Sequence, residues 1–576
     1  MKNLFRFKAF LSPVLVLALL IGAGSAFAET WKFGVMGDTQ WTTTDPANAN
    51  PFTIPESIIN QVHQQFINSG VKFVIQVGDL TDNGENISEI TRAGAAQSLI
   101  DAGIGFFPMR GNHETYGTNN SYAIPIFQQL YPQTTTGMFT KTNAHKYELG
   151  SDFSSPTIST DLAGMSYSFD YGRRGDDVRF VIIDTWATPS KVDNNADGYV
   201  YGYTVNDQQA WISSRLDKKT RGTEHAFILA HQPLIAENHQ DTMFSGYTNA
   251  NPDWQNAFFA SLQNNGVKYY MSGHDHIHQR SIITSPDGKS QVEEIISASN
   301  SSKFYTPKAL NNANWFGQKS RELSISQERY TVGYSIYTVD GPCVTVDYYS
   351  DNRGNWSSDD CYPDGTTPQS CSTPGSHITP TFNFVKKETW GYCNNGKEFL
   401  VPQTAAYTTV EDSFEGTTAK ILDGTNKSTA VDYTLRPLTK TVDTGWIDVD
   451  RRSDKNSDYE WNHDLVLASN IFLLRGMADL GTEQTDTYVL SLSYDYHRLL
   501  PIQLGKGLLG LVTKDKNDHW VNAVDKNYGG TKKFVFGPYK SGYELGTYGV
   551  DLKTGTVWAV INYAGDFAAA GFNHRD

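Results

Sequence analysis

Five short apolar runs in the first 280 residues each end in a small residue that precedes a polar side chain. The blocks at these ends are Gly37-Asp38-Thr39-Gln40, Gly78-Asp79, Gly111-Asn112-His113-Glu114, Ala230-His231 and Gly273-His274-Asp275-His276. In α/β sheets, binding sites form beyond the carboxyl ends of strands. Glycine before a ligand permits a tight turn and a close backbone approach. The pattern therefore predicts an α/β sheet whose strand ends build one polar site.

Helical and extended patterns alternate from Trp31 onward, which is typical of βαβ units and of a sheet with helices on its faces. The spacing predicts helices at Ile54–Phe66, Arg92–Ala102, Val205–Leu216 and Trp254–Leu262. It predicts strands at Lys32–Met36, Lys72–Val77, Ile104–Met109, Met165–Tyr171, Val178–Asp184, His225–Ala230, Val267–Met271, Val292–Ala298, Gly333–Val339 and Cys343–Tyr349.

A change of composition divides the chain. Residues 351–380 are rich in Asp, Ser, Pro, Gly and Thr, so we interpret them as a disulfide-bearing linker after a first domain at 29–350. Residues 381–576 alternate like a β-rich domain of unknown role and partner. The four cysteines, Cys343, Cys361, Cys371 and Cys393, favour two disulfides with three possible pairings. A zinc cluster is the alternative, but no pair has CxxC spacing.

The N-terminus predicts export. Three cations (Lys2, Arg6 and Lys8) precede the apolar run Val14–Ile21 and the small-residue site Ala26-Phe27-Ala28, so residues 1–28 fit a signal peptide. A retained membrane anchor is the alternative, but the run is short for a span. We expect a periplasmic or extracellular protein with no membrane span after cleavage.

The net charge of −15 makes general binding of nucleic acid unfavourable, so none is expected. An anionic substrate would need local positive charge, which metal ions can provide. The donors in the five blocks are carboxylates, amides and imidazoles, a mixture that suits Mn, Fe or Zn better than Ca or Mg.

The five blocks resemble, in order, the motifs of the calcineurin-like metallophosphoesterase superfamily: D-x-[H/Q], GD, GNH[E/D], H and GHxH. The resemblance covers about residues 31–350 and implies a four-layer α/β/β/α sandwich, followed here by the β-rich domain. It implies one divalent metal ion held by Asp38, Gln40, Asp79 and His276. It implies a second held by Asp79, Asn112, His231 and His274. His113 corresponds to the catalytic histidine that binds no metal.

By this resemblance the chain is a secreted dinuclear-metal hydrolase of phosphoester or phosphoanhydride bonds. A metal-bridging hydroxide would attack phosphorus, and His113 would protonate the leaving oxygen or stabilise its charge. Glu114 is a candidate for orienting the ring of His113. The expected substrate is a phosphorylated small molecule such as a nucleotide or sugar phosphate. The alternative is a surface or binding protein that acts through its C-terminal domain and has a vestigial metal site, although the intact ligand set argues against it.

Several positions stay open. Gln40 stands where many members have His, which predicts a weaker first site. Asp82 replaces the tyrosine ligand of purple acid phosphatases, so it either supports the metal site or is a solvated turn residue. Arg110 either contacts a phosphate or is an ordinary surface residue. The segment Asp193–Gly198 resembles a calcium loop, but Thr204 occupies the position of the required glutamate, so a polar turn is favoured.

Overall fold

A computed structural model of the protein describes residues 30–42, 48–115, 120–187, 202–239, 241–246, 249–305, 321–328, 331–351, 381–394, 419–424, 431–436, 446–447, 465–469, 471–475, 484–505, 508–517 and 519–572. The proposed signal peptide, most of the proposed linker and the calcium-like segment lie outside these ranges. Among the described helices, none is both long and apolar enough to cross a membrane.

The described elements are strands and comparatively few helices. The helices are α1 (Glu56–Ser69), α2 (Asn86–Ala95), α3 (Gln97–Asp101), α4 (Asn120–Leu130), α5 (Gln133–Thr136), α6 (Val205–Leu216), α7 (Pro252–Asn264) and α8 (Pro501–Gly505). The N-terminal strands are β1 (Trp31–Met36), β2 (Phe73–Gln76), β3 (Gly105–Pro108), β4 (Met138–Thr140), β5 (Lys146–Glu148), β6 (Ser151–Ser154), β7 (Tyr167–Tyr171), β8 (Val178–Ile183), β9 (His225–Ala230), β10 (Tyr269–Ser272), β11 (His278–Thr284), β12 (Gln291–Ile296), β13 (Glu322–Glu328), β14 (Gly333–Asp340) and β15 (Cys343–Asp351). The C-terminal strands are β16 (Phe384–Cys393), β17 (Ala419–Gly424), β18 (Val431–Arg436), β19 (Trp446–Ile447), β20 (Leu465–Leu467), β21 (Ile471–Arg475), β22 (Gln484–Ser493), β23 (Leu509–Lys514), β24 (Trp520–Asn522), β25 (Lys533–Phe536), β26 (Thr547–Asp551), β27 (Thr556–Tyr563) and β28 (Gly565–Phe572).

Two mixed sheets form the N-terminal part of the fold, which confirms the predicted mixed α/β class. In the first, β15, β14, β1, β2 and β3 are neighbours, and β1, β2 and β3 run parallel. In the second, the order is β19-β13-β11-β12-β10-β9-β8-β7-β6, with β8, β9, β10 and β12 parallel. The strand ends that carry the polar blocks therefore lie at matching edges of the two sheets.

Aromatic side chains pack the two sheets together. Phe33 of β1 lies 5.0 Å from Phe180 and 5.5 Å from Phe227 of the second sheet, measured between ring centroids. Helices cover the outer faces: α1 places Phe66 5.1 Å from Tyr334 on the first sheet. On the second sheet, the helices α6 and α7 pack over β8, β9 and β10. Burial of these large rings is the main stabilising contribution to such a core.

The C-terminal part is β-rich, as predicted, and it extends the first sheet. Strand β16 pairs with β15, and the sheet continues through β18, β21, β28, β23 and β24. A separate five-stranded sheet, β17-β22-β27-β26-β25, packs against this extension through a shared apolar cluster. The register places Cys343 directly opposite Cys393. The C-terminal strands are thus joined to the N-terminal sheet by main-chain hydrogen bonds.

One predicted helix, Arg92–Ala102, is wrong in detail because it is divided into α2 and α3. Around Ala96 the backbone bonds span three residues instead of four: Ala96 donates to the Ala93 carbonyl at 3.2 Å and Leu99 donates to the Ala96 carbonyl at 3.1 Å. This tighter local winding interrupts the α-helix. The strands predicted at Gly333–Val339 and Cys343–Tyr349 are β14 and β15, which form a hairpin. Its two-residue loop is Gly341-Pro342 and not Asp340-Gly341, because Asp340 pairs with Cys343.

Candidate metal centre

The five polar blocks converge at one edge of the two packed sheets. β1, β2 and β3 lead into Asp38, Asp79 and Asn112, while β9 leads into His231. The turn between β10 and β11 supplies two histidines. Each predicted ligand side chain is buried, with at most 2% of its surface exposed: Asp38, Gln40, Asp79, Asn112, His231, His274 and His276.

Two overlapping groups of potential ligand atoms share one carboxylate. Asp79, His231 and His274 form one group, and Asp38, Asp79 and His276 form the other, with the atoms of each group within 4.8 Å of one another. Nε2 of His231 lies 3.2 Å from Oδ1 of Asp79. The amide oxygen of Asn112 lies 3.2 Å from the same imidazole nitrogen. The structure thus brings together, in each group, predicted ligands of one cation, while the complete division of the ligands between two cations stays a prediction.

Hydrogen bonds orient the three histidines. His231 Nδ1 lies 2.7 Å from the Val77 carbonyl, and His276 Nδ1 lies 3.0 Å from the Lys303 carbonyl. A carbonyl only accepts, so Nδ1 carries the hydrogen in both rings and the Nε2 lone pair is left for a metal. His274 has the opposite arrangement, because its Nε2 lies 2.9 Å from Oδ1 of Asp241. Its Nδ1 is therefore the ring nitrogen that a metal ion would bind.

Asp241 is a functional residue that the sequence did not reveal. It is fully buried, and its second oxygen accepts a hydrogen bond from Gln232 at 2.9 Å. A carboxylate bonded to the far nitrogen of a metal-binding histidine fixes the ring and raises its basicity. Asp241 lies in a loop without regular structure, and no spacing rule connects it to His274.

His113 lies beside the shared carboxylate. Its Nε2 is 3.9 Å from Oδ2 of Asp79, and its Nδ1 is 2.5 Å from the carbonyl oxygen of Asp82. The suggestion that Glu114 orients this ring is wrong. Glu114 instead accepts hydrogen bonds from the backbone of Gly111 at 2.7 Å and of Thr81 at 3.0 Å. It thereby joins the two loops that carry Asp79 and Asn112.

Three of the predicted ligand residues have unusual backbone conformations, which direct their side chains into the site. Asp79, His274 and His276 have φ values of 45°, 75° and 53°, in the left-handed region that non-glycine residues rarely adopt. Such strain is concentrated at functional sites. His274 and His276 point into one site because of this turn, and not because alternate side chains of a strand lie on the same face. The glycine before Asn112 is required by space, because a Cβ at Gly111 would lie 2.1 Å from Oδ1 of Asp79.

Unpartnered oxygen atoms show that this pocket fits a cation. Oδ2 of Asp38 and Oε1 of Gln40 are buried without a hydrogen-bond partner among the described residues. A buried polar atom without a partner is costly, and coordination of a metal ion would remove that cost. The donors present, carboxylate, amide and imidazole, are those of Mn, Fe and Zn sites.

Burial and neighbouring charges perturb the ionisation of these groups. Burial, with repulsion from Asp79, raises the pKa of Asp38 to about 7 despite the attraction of His231. Burial alone would raise the pKa of Asp79, but attraction to His231 and His113 holds it well below its usual value. The same carboxylates outweigh burial at His231 and raise its pKa to about 10. Burial lowers the pKa of His113 to about 4. The proton on His231 would leave when a metal binds, since a ligand imidazole is neutral.

The other candidate positions have defined contacts. Asp82 is not a merely solvated turn residue, because its carboxylate lies 2.8 Å from the Lys303 ammonium and its carbonyl 2.5 Å from Nδ1 of His113. Arg110 is not at the surface: it is 1% exposed and forms a 2.7 Å ion pair with Asp184. His239, between the ligand blocks in sequence, forms a 2.7 Å pair with Asp275.

Three partly exposed side chains form the rim of the centre. There the side chains of His113, His239 and Asp82 are 15%, 19% and 24% exposed, whereas those of the ligands are almost fully enclosed. Tyr305 forms part of the wall, with its ring 4.7 Å from that of His239 and 4.9 Å from that of His276. A substrate would approach through this rim.

Residues 32–278 match the family model described as calcineurin-like phosphoesterase. No curated protein sequence matches the chain significantly. Among solved structures, a dimetal phosphatase from Danio rerio is 13% identical, over 55% of this chain and 95% of that one, with a TM-score of 0.34. A purple acid phosphatase from yellow lupin seeds is 15% identical over 61% and 58%, with a TM-score of 0.36. The GAP50 anchor of the Plasmodium inner membrane complex is 16% identical over 60% and 90%, with a TM-score of 0.33. By its family match and motifs, the N-terminal region of this chain belongs to the calcineurin-like phosphoesterases and is a metal-dependent phosphoester hydrolase.

Proposed function

We propose that the chain is an exported hydrolase of phosphoester or phosphoanhydride bonds that uses two divalent cations. One cation would be held by Asp38, Gln40, Asp79 and His276. The other would be held by Asp79, Asn112, His231 and His274. The observation that carries the proposal is the pair of ligand groups that overlap at Asp79.

Bound cations would activate a water molecule near neutral pH and neutralise charge on the phosphoryl oxygens. The protein residues supply position and proton control. Asp79 and the three hydrogen-bonded histidines would hold the metal-binding atoms in position. His113 donates its Nδ1 hydrogen to the Asp82 carbonyl, so Nε2 is the atom that faces a leaving oxygen. Nε2 would donate a proton to that oxygen only from the doubly protonated ring.

The substrate in this proposal is a phosphorylated small molecule such as a nucleotide or sugar phosphate. The opening beside His113 and His239 has both aromatic and polar groups, which suit a sugar or a base. The acidic chain, with its net charge of −15, disfavours long nucleic acids.

Turnover with and without metal tests this function. The purified protein would be assayed with p-nitrophenyl phosphate, bis-p-nitrophenyl phosphate and ADP, each with Mn, Fe or Zn and with EDTA. We expect hydrolysis that requires metal and falls by at least about 1000-fold in Asp79→Asn, because both cations lose their shared ligand. Gly94→Ala is a matched control, since a Cβ at Gly94 would contact nothing within 4 Å.

Turnover that persists in EDTA, or an Asp79→Asn variant with normal activity, would contradict the proposed function. Export is tested separately. Sequencing the N-terminus of the protein recovered outside the cytoplasm should give a start near Glu29. A protein retained in the cytoplasm with residues 1–28 attached would contradict export while leaving the hydrolase proposal intact.

A further inference from the structure

A loop that follows β12 lies against the first ligand loop. Asn300 donates its backbone hydrogen to the Asp38 carbonyl at 2.9 Å, and Ser302 donates to the Gln40 carbonyl at 3.0 Å. These two bonds place residue 303 at the metal centre, on the same side as His276. The loop is therefore a fixed part of the site, although none of the five motifs includes it.

Lys303 contacts residues of the centre through both its backbone and its side chain. Its carbonyl accepts the hydrogen bond from Nδ1 of His276 at 3.0 Å. Its ammonium group lies 2.8 Å from Oδ1 of Asp82, whose own carbonyl orients His113. The backbone of Lys303 thus positions one predicted ligand, while its side chain points toward the catalytic histidine.

The ammonium group lies beside the partly exposed Asp82 at the rim of the centre. Its side chain is 9% exposed and pairs with a carboxylate at the open rim that is 24% exposed. Burial is the main cause of the lowered pKa values of His113 and His276, and the charge of Lys303 lowers both further, as expected for a cation close to these two rings. An ammonium has three donor hydrogens, and its 2.8 Å contact with Asp82 can use at most one of them.

We propose that Lys303 binds a non-bridging oxygen of the substrate and makes the site selective for a terminal phosphoryl dianion, as in phosphomonoesters, over a diester monoanion. This inference rests on the proposed function and narrows its substrate class. The attraction between the ammonium and a phosphoryl group increases with the negative charge of that group, so a dianion is bound more strongly than a monoanion. The low exposure of the ammonium increases this difference, because electrostatic attraction is stronger away from bulk water. Lysine binds phosphate as such a point charge.

Lys303→Met tests the inference, since methionine keeps much of the length and removes the charge. For p-nitrophenyl phosphate we expect kcat/KM to fall by about 30-fold, within the range for loss of a charged hydrogen bond. For bis-p-nitrophenyl phosphate, with half the charge, the expected fall is about 5-fold. Lys303→Arg should recover most of the monoester preference. Lys289→Met is the matched control, because that lysine also pairs with an aspartate but is 81% exposed.

Two further measurements separate this inference from the proposed function. Calorimetric titration of the Mn-loaded protein with inorganic phosphate should show weaker binding in Lys303→Met. The metal content should be unchanged, because His276 is held by the backbone of Lys303. Equal phosphate affinity, equal losses for the two esters, or loss of metal in the variant would overturn the inference. A wild-type protein that binds phosphate through Lys303 but hydrolyses no ester would overturn only the proposed function.

Discussion

Replacing Glu388 by glutamine should strongly destabilise the protein, because this residue connects the C-terminal strand β16 to the second sheet. Its carboxylate forms an ion pair with Arg280 of β11. It also lies 3.1 Å from Nε2 of His278 and accepts a bond from the Ser326 hydroxyl at 2.9 Å. Glu388 and Arg280 are at most 1% exposed in their side chains.

The expected loss of stability in Glu388→Gln depends on the contacts that Arg280 keeps. Removing one member of a buried ion pair typically costs about 3–5 kcal/mol, because the other charge is left uncompensated. Arg280 keeps Glu293, whose Oε1 lies 2.7 Å from Nη2, and it also keeps its contact with the ring of Trp390 at 4.1 Å. We therefore expect a loss near the lower limit, about 3 kcal/mol in the free energy of unfolding.

Urea unfolding followed by tryptophan fluorescence measures this loss at neutral pH. The control is Lys289→Met, which removes an exposed ion pair and should leave the urea midpoint unchanged. A midpoint for Glu388→Gln equal to that of the wild type would refute the view that β16 is an integral part of the N-terminal fold.

The ion pair of Glu388 and Arg280 also predicts that the stability of the protein depends on pH. Burial alone would raise the pKa of Glu388, but Arg280 and hydrogen bonds from His278 and Ser326 lower it below its ordinary value of 4.5. A depressed carboxylate pKa adds stability above that ordinary value, and the addition is lost as the pH falls through the folded-state pKa. The stability difference between wild type and Glu388→Gln should therefore be full at neutral pH and shrink below pH 4.5.

Three other perturbations test the account. Asp241→Asn should weaken Mn binding about 10- to 100-fold in a metal titration, because its histidine loses an orienting partner; unchanged affinity would contradict this role. Gly111→Ala should abolish metal binding, because the added Cβ would lie 2.1 Å from the shared carboxylate, whereas Gly94→Ala should bind normally. The register that places Cys343 opposite Cys393 predicts a disulfide between them, detectable by mass spectrometry of an unreduced digest; free thiols at both positions would contradict it.

Much of the site was predictable because its residues lie in the short segments that follow the strands. Buried parallel strands are short apolar runs, and a polar residue after a glycine indicates where each run ends. Strand β9, for example, has the predicted limits, His225–Ala230, and delivers His231 to the centre. Local sequence indicated where these strands end, whereas the assignment of each side chain as a ligand came from the order of the blocks and their resemblance to the family motifs.

The residues that local sequence did not reveal act across long separations. Asp241 contacts His274 from a loop 33 positions away, and Lys303 is 221 positions from Asp82 in the chain. Neither has a periodic pattern or a motif. The continuation of the first sheet into β16 was also missed, since pairing between β15 and β16 depends on tertiary packing and not on the propensity of either strand. The limits of the two predicted domains stay a prediction.

Anomalous diffraction from Mn-soaked crystals would show whether the centre holds two cations. We expect two manganese peaks about 3.5–4 Å apart, one on each side of the Asp79 carboxylate. One peak would be bonded by His276, and the other by His231 and His274. A single peak, or none, within reach of Asp79 would contradict the two-cation centre.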